Sequence, residues 1–257
     1  MFLSALLLTT LTVSTAATPV VKTGIDVLKA RNFDVLRGKR VGLITNPTGV
    51  DAEFNTTIDL LFASKDVQLV ALYGPEHGVR GDYAAGDKVE SSTDPATGLP
   101  VHSLYGKTRK PTPEMLEGVD VLVYDIQDIG CRSYTYISTM GLAMQAAAEA
   151  NIEFVVLDRP NPLGGNRIEG NLVRPGAESF VGQFPIPYVY GLTPGELAKF
   201  LNEEGILGKR CKLTVVPMQG WKRSMLFPDT GLPWVPTSPH IPEVDSAMYY
   251  VATGVMG

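Results

Sequence analysis

The sequence predicts an α/β protein, a Rossmann-like layered sandwich built on a mainly parallel sheet. Three observations carry that expectation. Short apolar runs alternate with helical patterns along most of the chain. The runs are continuously apolar rather than alternating, as strands covered on both faces are. The length of 257 residues, with 44% hydrophobic and 19% charged side chains, is enough to bury a sizeable core. Alternation of this kind implies right-handed βαβ units and a parallel sheet.

Each element follows in order. Met1 to Ala17 reads as a signal peptide. Phe2 to Val13 is apolar apart from Ser4 and threonines, and Ser14-Thr15-Ala16 offers small residues for cleavage. That run is too short for a stable bilayer anchor, and no later apolar stretch is long enough to span, so no integral membrane span is expected. Residues 18–216 are expected to form the Rossmann-like domain. Its strands are Arg40 to Thr45, Val67 to Tyr73, Val119 to Tyr124, Glu153 to Leu157 and Lys212 to Val216. Helices are expected over Thr56 to Ala63, over Tyr134 to Ala150, and from Thr193, where Thr-Pro-Gly-Glu places an N-cap, a first-turn proline and Glu196. Gly81 to Thr112 and Pro217 to Pro242, rich in Gly, Pro and Ser/Thr, are expected to be long functional loops. Residues 217–257 end at Val255-Met256-Gly257 without a polar tail. They are expected to be the loop-rich start of a smaller, truncated C-terminal domain.

A net charge of −5 and the lack of a basic run argue against nucleic acid and anionic membranes as partners. Cys131 and Cys211 fit either one bridge or two separate buried thiols. His77, His102 and His240 lack the spacing of a helical zinc site, so neither metal nor cofactor is expected.

In open α/β sheets, ligands bind beyond the carboxyl ends of the strands. Four polar loops follow the expected strands: Asn46-Pro47-Thr48-Gly49, then Gly74-Pro75-Glu76-His77-Gly78-Val79-Arg80-Gly81, then Asp125-Ile126-Gln127-Asp128-Ile129-Gly130, then Asp158-Arg159-Pro160-Asn161-Pro162. Asn, Asp, Gly and Pro suit any turn. Glu76 and His77 do not, which singles out their loop. No G-x-G-x-x-G, P-loop or G-x-S-x-G elbow occurs. A rim of carboxylates with Arg80, Arg132, Tyr134 and Tyr136 suits glycoside hydrolysis. There one carboxylic acid protonates the leaving oxygen and a second group serves the oxocarbenium-like centre.

The Gly74–Gly81, Asp125–Gly130 and Asp158–Pro162 motifs, with Tyr134-Thr-Tyr-Ile-Ser138 and Gly231-Leu-Pro-Trp-Val-Pro-Thr-Ser-Pro239, resemble the exo-β-N-acetylmuramidases over nearly the whole chain after the leader. The resemblance implies an exported bacterial hydrolase that releases N-acetylmuramic acid from non-reducing ends of peptidoglycan fragments, with those sugars as its partners. It places the cleft glutamate on Glu76. It expects a second carboxylate on the helix after the tyrosine motif, where this sequence has Gln145. Asp125 or Asp128 is the candidate to orient water or steady positive charge. His77, Arg80 and Arg132 are candidates for the lactyl carboxylate, and Tyr134 and Tyr136 for stacking on the sugar. Asn46, Asp158 and Asn161 complete the expected substrate-binding rim. A non-catalytic cell-wall sugar-binding protein is the alternative, and a nucleotide-using enzyme is disfavoured by the missing glycine fingerprint.

Overall fold

The computed structural model describes residues 20–81 and 91–255. The expected signal peptide lies outside them. The chain order begins with α1 (Gly24–Ala30), β1 (Arg40–Thr45), α2 (Thr57–Ala63), β2 (Gln68–Gly74), β3 (Ser92–Thr93), β4 (Pro100–Ser103) and β5 (Val121–Asp125). It continues with α3 (Tyr136–Ala150), β6 (Glu153–Leu157), α4 (Pro194–Glu203), β7 (Lys212–Val216) and α5 (Val244–Thr253). One seven-stranded sheet runs β3-β4-β2-β1-β5-β6-β7, parallel at every pairing except β3 with β4. Without the two-residue β3, this is the Rossmann order 3-2-1-4-5-6. The strand order reverses at β1, between β2 on one side and β5 on the other.

Side-chain alternation along each strand sets the two faces. Leu43, Val121, Val123, Val155 and Leu157 pack with Ile25 and Leu28 of α1 and Ile58 and Leu61 of α2. Ile44, Leu122, Tyr124, Phe154 and Val156 pack on the opposite face with Met140 of α3 and Leu197 and Leu201 of α4. The result is a three-layer sandwich with buried cores on both sides of the sheet. The expected cap of α4 is present: Thr193 Oγ1 accepts from Glu196 N at 3.2 Å, and Glu196 Oε2 accepts from Thr193 N at 3.0 Å.

The expected loop over Gly81 to Thr112 is corrected. It contains β4, parallel to β2, and the short β3. Pro100 opens β4, a position where its missing N–H costs nothing, and four residues are too few to show periodicity. Pro217 to Pro242 holds only the 3₁₀ turn Phe227–Thr230 and folds back onto the sheet's carboxyl end. There Trp234, Ile241 and Ala247 of α5 pack with Ile129, Cys131, Leu163 and Val189. Cys131 and Cys211 are separate buried free thiols.

Candidate active site at the carboxyl rim

The strand faces decide what each rim side chain meets. Asp125 continues the Val121–Val123 face and points toward α2. Its carboxylate takes Arg159 Nε at 2.6 Å, Arg159 Nη2 at 3.0 Å and the Thr57 hydroxyl. Asp158 continues past Leu157 onto the other face and caps α4. Oδ1 accepts from Gly195 N at 2.7 Å and Oδ2 accepts from Thr193 Oγ1 at 3.0 Å. Burial pushes the Asp158 carboxyl up to about 6 against these hydrogen bonds. Both aspartates therefore work within the scaffold rather than in a cleft.

Asn46 continues Ile44 onto the α3 face. Its Oδ1 accepts from Thr48 N at 3.0 Å and from the Thr48 hydroxyl, while its buried Nδ2 has no hydrogen-bond partner among the described residues. The Thr48 hydroxyl in turn accepts from Gln127 N at 2.8 Å, and Gln127 Nε2 donates to Pro160 O at 2.7 Å. This hydroxyl–amide chain ties the loops after β1, β5 and β6 together. Asn161 spends both ends of its amide, on Leu192 O at 2.9 Å and Leu163 N at 2.9 Å. Gly130 beside it (φ 83°) has no room for a side chain, since a Cβ would lie 2.4 Å from Asn161 Oδ1.

Glu76 stands at the carboxyl end of β2, half-buried, next to the point where strand order reverses. His77 (φ 72°) and Gly78 (φ 74°) both adopt left-handed backbone and turn the loop sharply after it. Thr135, the N-cap residue of α3, does not cap its helix. Its Oγ1 donates instead to Glu76 Oε2 at 3.2 Å. The Tyr105 hydroxyl lies on the same carboxylate, and burial together with Glu76 pushes that phenol up to about 12. His77, the next residue, lines a cleft of about 240 Å³ together with Pro47, Gly81, Thr237, Ser238 and Pro239.

Tyr134 and Tyr136 meet the cleft's lining only through Thr237 and do not present open faces. Tyr134 Oη donates to Thr237 Oγ1 at 2.9 Å, and Tyr136 Oη donates to Thr237 O at 2.7 Å. Their rings meet edge to face at 5.0 Å. The sequence motif ending in Thr237-Ser238-Pro239 thus meets the tyrosine motif in space. Asp128 is fully enclosed. Its Oδ1 accepts from Gly130 N at 2.8 Å and from the Tyr190 hydroxyl, its Oδ2 has no hydrogen-bond partner among the described residues, and burial pushes the carboxyl up to about 7.

The expected anion-reading cations are placed otherwise. Arg80 forks onto Asp94, Nε to Oδ1 at 2.9 Å and Nη2 to Oδ2 at 3.1 Å, which holds Asp94 down to about 2. Arg132 gives Nη1 to the carbonyls of Asn171 and Ile186 at 2.6 and 2.7 Å. Gln145 is nine residues along α3 from Tyr136, roughly 13 Å up the axis at 1.5 Å per residue and away from the rim. The α3 position expected for a second carboxylate is thus not at the site. Thr48, Tyr105, Gln127, Thr135, Tyr190 and Thr237 build the site without having been singled out in the sequence. Thr48, Gln127, Thr135 and Thr237 lay inside quoted rim loops or motifs, whereas Tyr105 and Tyr190 did not. One grouping of carboxylates among the described residues approaches metal-site geometry: Asp26, Asp51 and Glu53. Lys29 Nζ already sits among them, 2.7 Å from Glu53 and in contact with Asp51.

A model of the family described as exo-beta-N-acetylmuramidase NamZ, N-terminal, matches residues 41–245. The chain belongs to that family. It is 55% identical over 242 residues to a peptidoglycan beta-N-acetylmuramidase NamZ of Bacillus subtilis (strain 168), covering 94% of this chain and 58% of that protein. A crystal structure of a DUF1343 family protein from Bacteroides fragilis superimposes with a TM-score of 0.88 at 65% identity, over 92% of this chain and 60% of that one. A second DUF1343 protein of that organism gives 0.75 at 32% identity, over 90% and 60%. The NamZ family's α/β fold is therefore the fold of this chain, and the chain spans about three-fifths of the length of these relatives. Among the described residues no helix is long and apolar enough to cross a membrane.

Proposed function

We propose that this chain carries the acid-catalytic site of an exo-acting β-N-acetylmuramidase that releases N-acetylmuramic acid from non-reducing ends of peptidoglycan fragments. The observation that carries the reading is the setting of Glu76. It is a half-buried carboxyl at the carboxyl end of β2, held by the Thr135 hydroxyl and followed directly by His77, which lines an open cleft, in a chain of the NamZ family. The name of the Bacillus subtilis relative supports the substrate class. In this role Glu76 passes its proton to the glycosidic oxygen as the bond from that oxygen to the anomeric carbon breaks. Water then adds to that carbon and gives up a proton. Asp128, beneath the rim, orders Tyr190 and the Gly130 backbone rather than meeting solvent. Export follows from the same reading, since the substrate lies outside the cytoplasm and Phe2 to Val13 reads as an apolar leader.

The test compares full-length protein and Glu76→Gln on a natural muramyl disaccharide, a nitrophenyl β-N-acetylmuramide and the matching glucosaminide. Gln keeps the shape and removes the transferable proton, so kcat on the disaccharide falls by about two to four decades. The loss on the nitrophenyl substrate is smaller, because that leaving group needs less protonation. Hydrolysis by Glu76→Gln at the parent rate would place the acid elsewhere. Tight sugar binding without turnover by the parent would make the protein a binding module.

A further inference from the structure

The sequence offered Arg80, Arg132 and His77 as readers of an anionic sugar substituent, but both arginines are committed within the fold. A different cation stands on the loop after β4. The parallel strand β4 lies next to β2, so its following loop, residues 104–109, arrives at the rim beside Glu76. Leu104 N donates to Gly74 O at 2.8 Å, and Ser103 Oγ donates to Tyr105 O at 3.0 Å, fixing where that loop leaves the sheet. Tyr105 reaches Glu76 from it. Four residues on, the Arg109 guanidinium lies 4.5 Å from the centroid of the Phe180 ring, and that ring is 6.2 Å from the ring of Tyr105.

Phe180 is itself held in place. Ser179 and Gly182 exchange backbone hydrogen bonds at 3.2 and 3.0 Å, a tight turn that buries Phe180 and leaves Val181 outside. Glu76, Tyr105, Phe180 and Arg109 thus form a continuous row from three separate segments. Arg109 is exposed, close enough to Tyr105 for its charge to act on that phenol, and forms no ion pair with any carboxylate among the described residues. Its neighbour Lys110, by contrast, is paired with Glu149. A guanidinium stacked on an aromatic face keeps its planar fork directed and free for an incoming carboxylate.

We infer that Arg109, set by Phe180 beside the Glu76–Tyr105 pair, is the specificity residue that binds the lactyl carboxylate of the muramyl ring. This deepens the proposed function and rests on it. The chemistry matches, since the lactyl ether on C3 stands a ring's width from the anomeric oxygen that Glu76 would protonate. It is also the anionic group that separates muramic acid from glucosamine.

The experiment uses the full-length protein, Arg109→Ala and Arg109→Lys, with nitrophenyl β-N-acetylmuramide and the same compound with its lactyl carboxylate converted to the methylamide. Arg109→Ala is expected to lose about ten- to a hundredfold in kcat/KM on the acid, mostly in KM, the worth of one charge-assisted hydrogen-bonded pair. It should change the amide little, and Arg109→Lys should recover part of the loss. Equal losses on acid and amide, or no loss on either, would overturn the inference while leaving the proposed hydrolase intact. A parent protein that hydrolyses neither compound would overturn the hydrolase reading, and this inference with it.

Discussion

Asp125 was, with Asp128, a sequence candidate for a second catalytic group, and its geometry makes a different prediction. Its side chain is fully buried, and Arg159 beside it is 6% exposed. Two guanidinium nitrogens at 2.6 and 3.0 Å and the Thr57 hydroxyl converge on the one carboxylate. Asp125→Ala leaves Arg159 charged and uncompensated between the sheet and α2. Breaking a buried pair from one side costs about 3–5 kcal/mol. For a domain of this size that lowers the thermal midpoint by about 6–20 °C. Thermal and urea unfolding followed by circular dichroism measure it. Replacing both partners, Asp125→Leu with Arg159→Met, removes the orphaned charge and is expected to recover at least half of the loss, because apolar replacement of a whole buried pair is often near neutral. An Asp125→Ala protein with an unchanged midpoint and a thousandfold lower kcat would refute this reasoning and return Asp125 to the chemistry.

Three further outcomes follow from the same geometry. Burial holds the Asp128 carboxyl up to about 7, against an ordinary 3.8, so the folded chain keeps a proton that the unfolded chain releases. Its stabilising contribution is full at low pH and is lost as pH rises through about 4 to 7. Asp128→Asn should flatten that part of the profile, read as the difference from the parent in urea midpoints between about pH 4 and pH 8. Thr135→Val removes the hydroxyl that donates to Glu76 and should lower kcat by about two- to tenfold, with an unchanged unfolding midpoint, since no cap of α3 is lost. Thr193→Ala removes both the α4 cap and a donor to Asp158, costing about 1–2 kcal/mol in urea unfolding.

The layered fold was legible because its central strands are covered on both faces and so are apolar without interruption. Arg40 to Thr45, Glu153 to Leu157 and Lys212 to Val216 match β1, β6 and β7 residue for residue. The short edge was not legible. β4 is four residues beginning with proline, and its absence from the reading hid the loop that brings Tyr105 and Arg109 to Glu76. At the site, motif residues could be seen but not their partners. Arg80 stands in the Glu76 loop, yet Asp94 claims it from fourteen positions away. Arg132 stands in the tyrosine motif and turns to the carbonyls of residues 171 and 186. Which neighbour takes a charge depends on strand order, and strand order is long-range information that a local pattern does not hold.

Alternation along the strands settles why Glu76 differs from the aspartates around it. A side chain just past a strand end keeps the face its position dictates, so Asp125 falls under α2 and Asp158 under the start of α4. Each there finds donors already fixed by the scaffold. Asp94 is forked by Arg80 and held low, an acceptor that cannot shed a proton usefully near neutrality. Glu76 is separated from its strand by Pro75 and followed by two left-handed residues, so its loop leaves the layer instead of continuing it. Two of its partners, Thr135 and Tyr105, are neutral hydroxyls. Hydroxyls orient a carboxyl and can rotate as its proton comes and goes, whereas a bidentate guanidinium favours the ionised form throughout. In the role proposed for Glu76, giving up a proton in the transition state and regaining it afterwards, a rotating hydroxyl can hold the carboxyl in place through both steps.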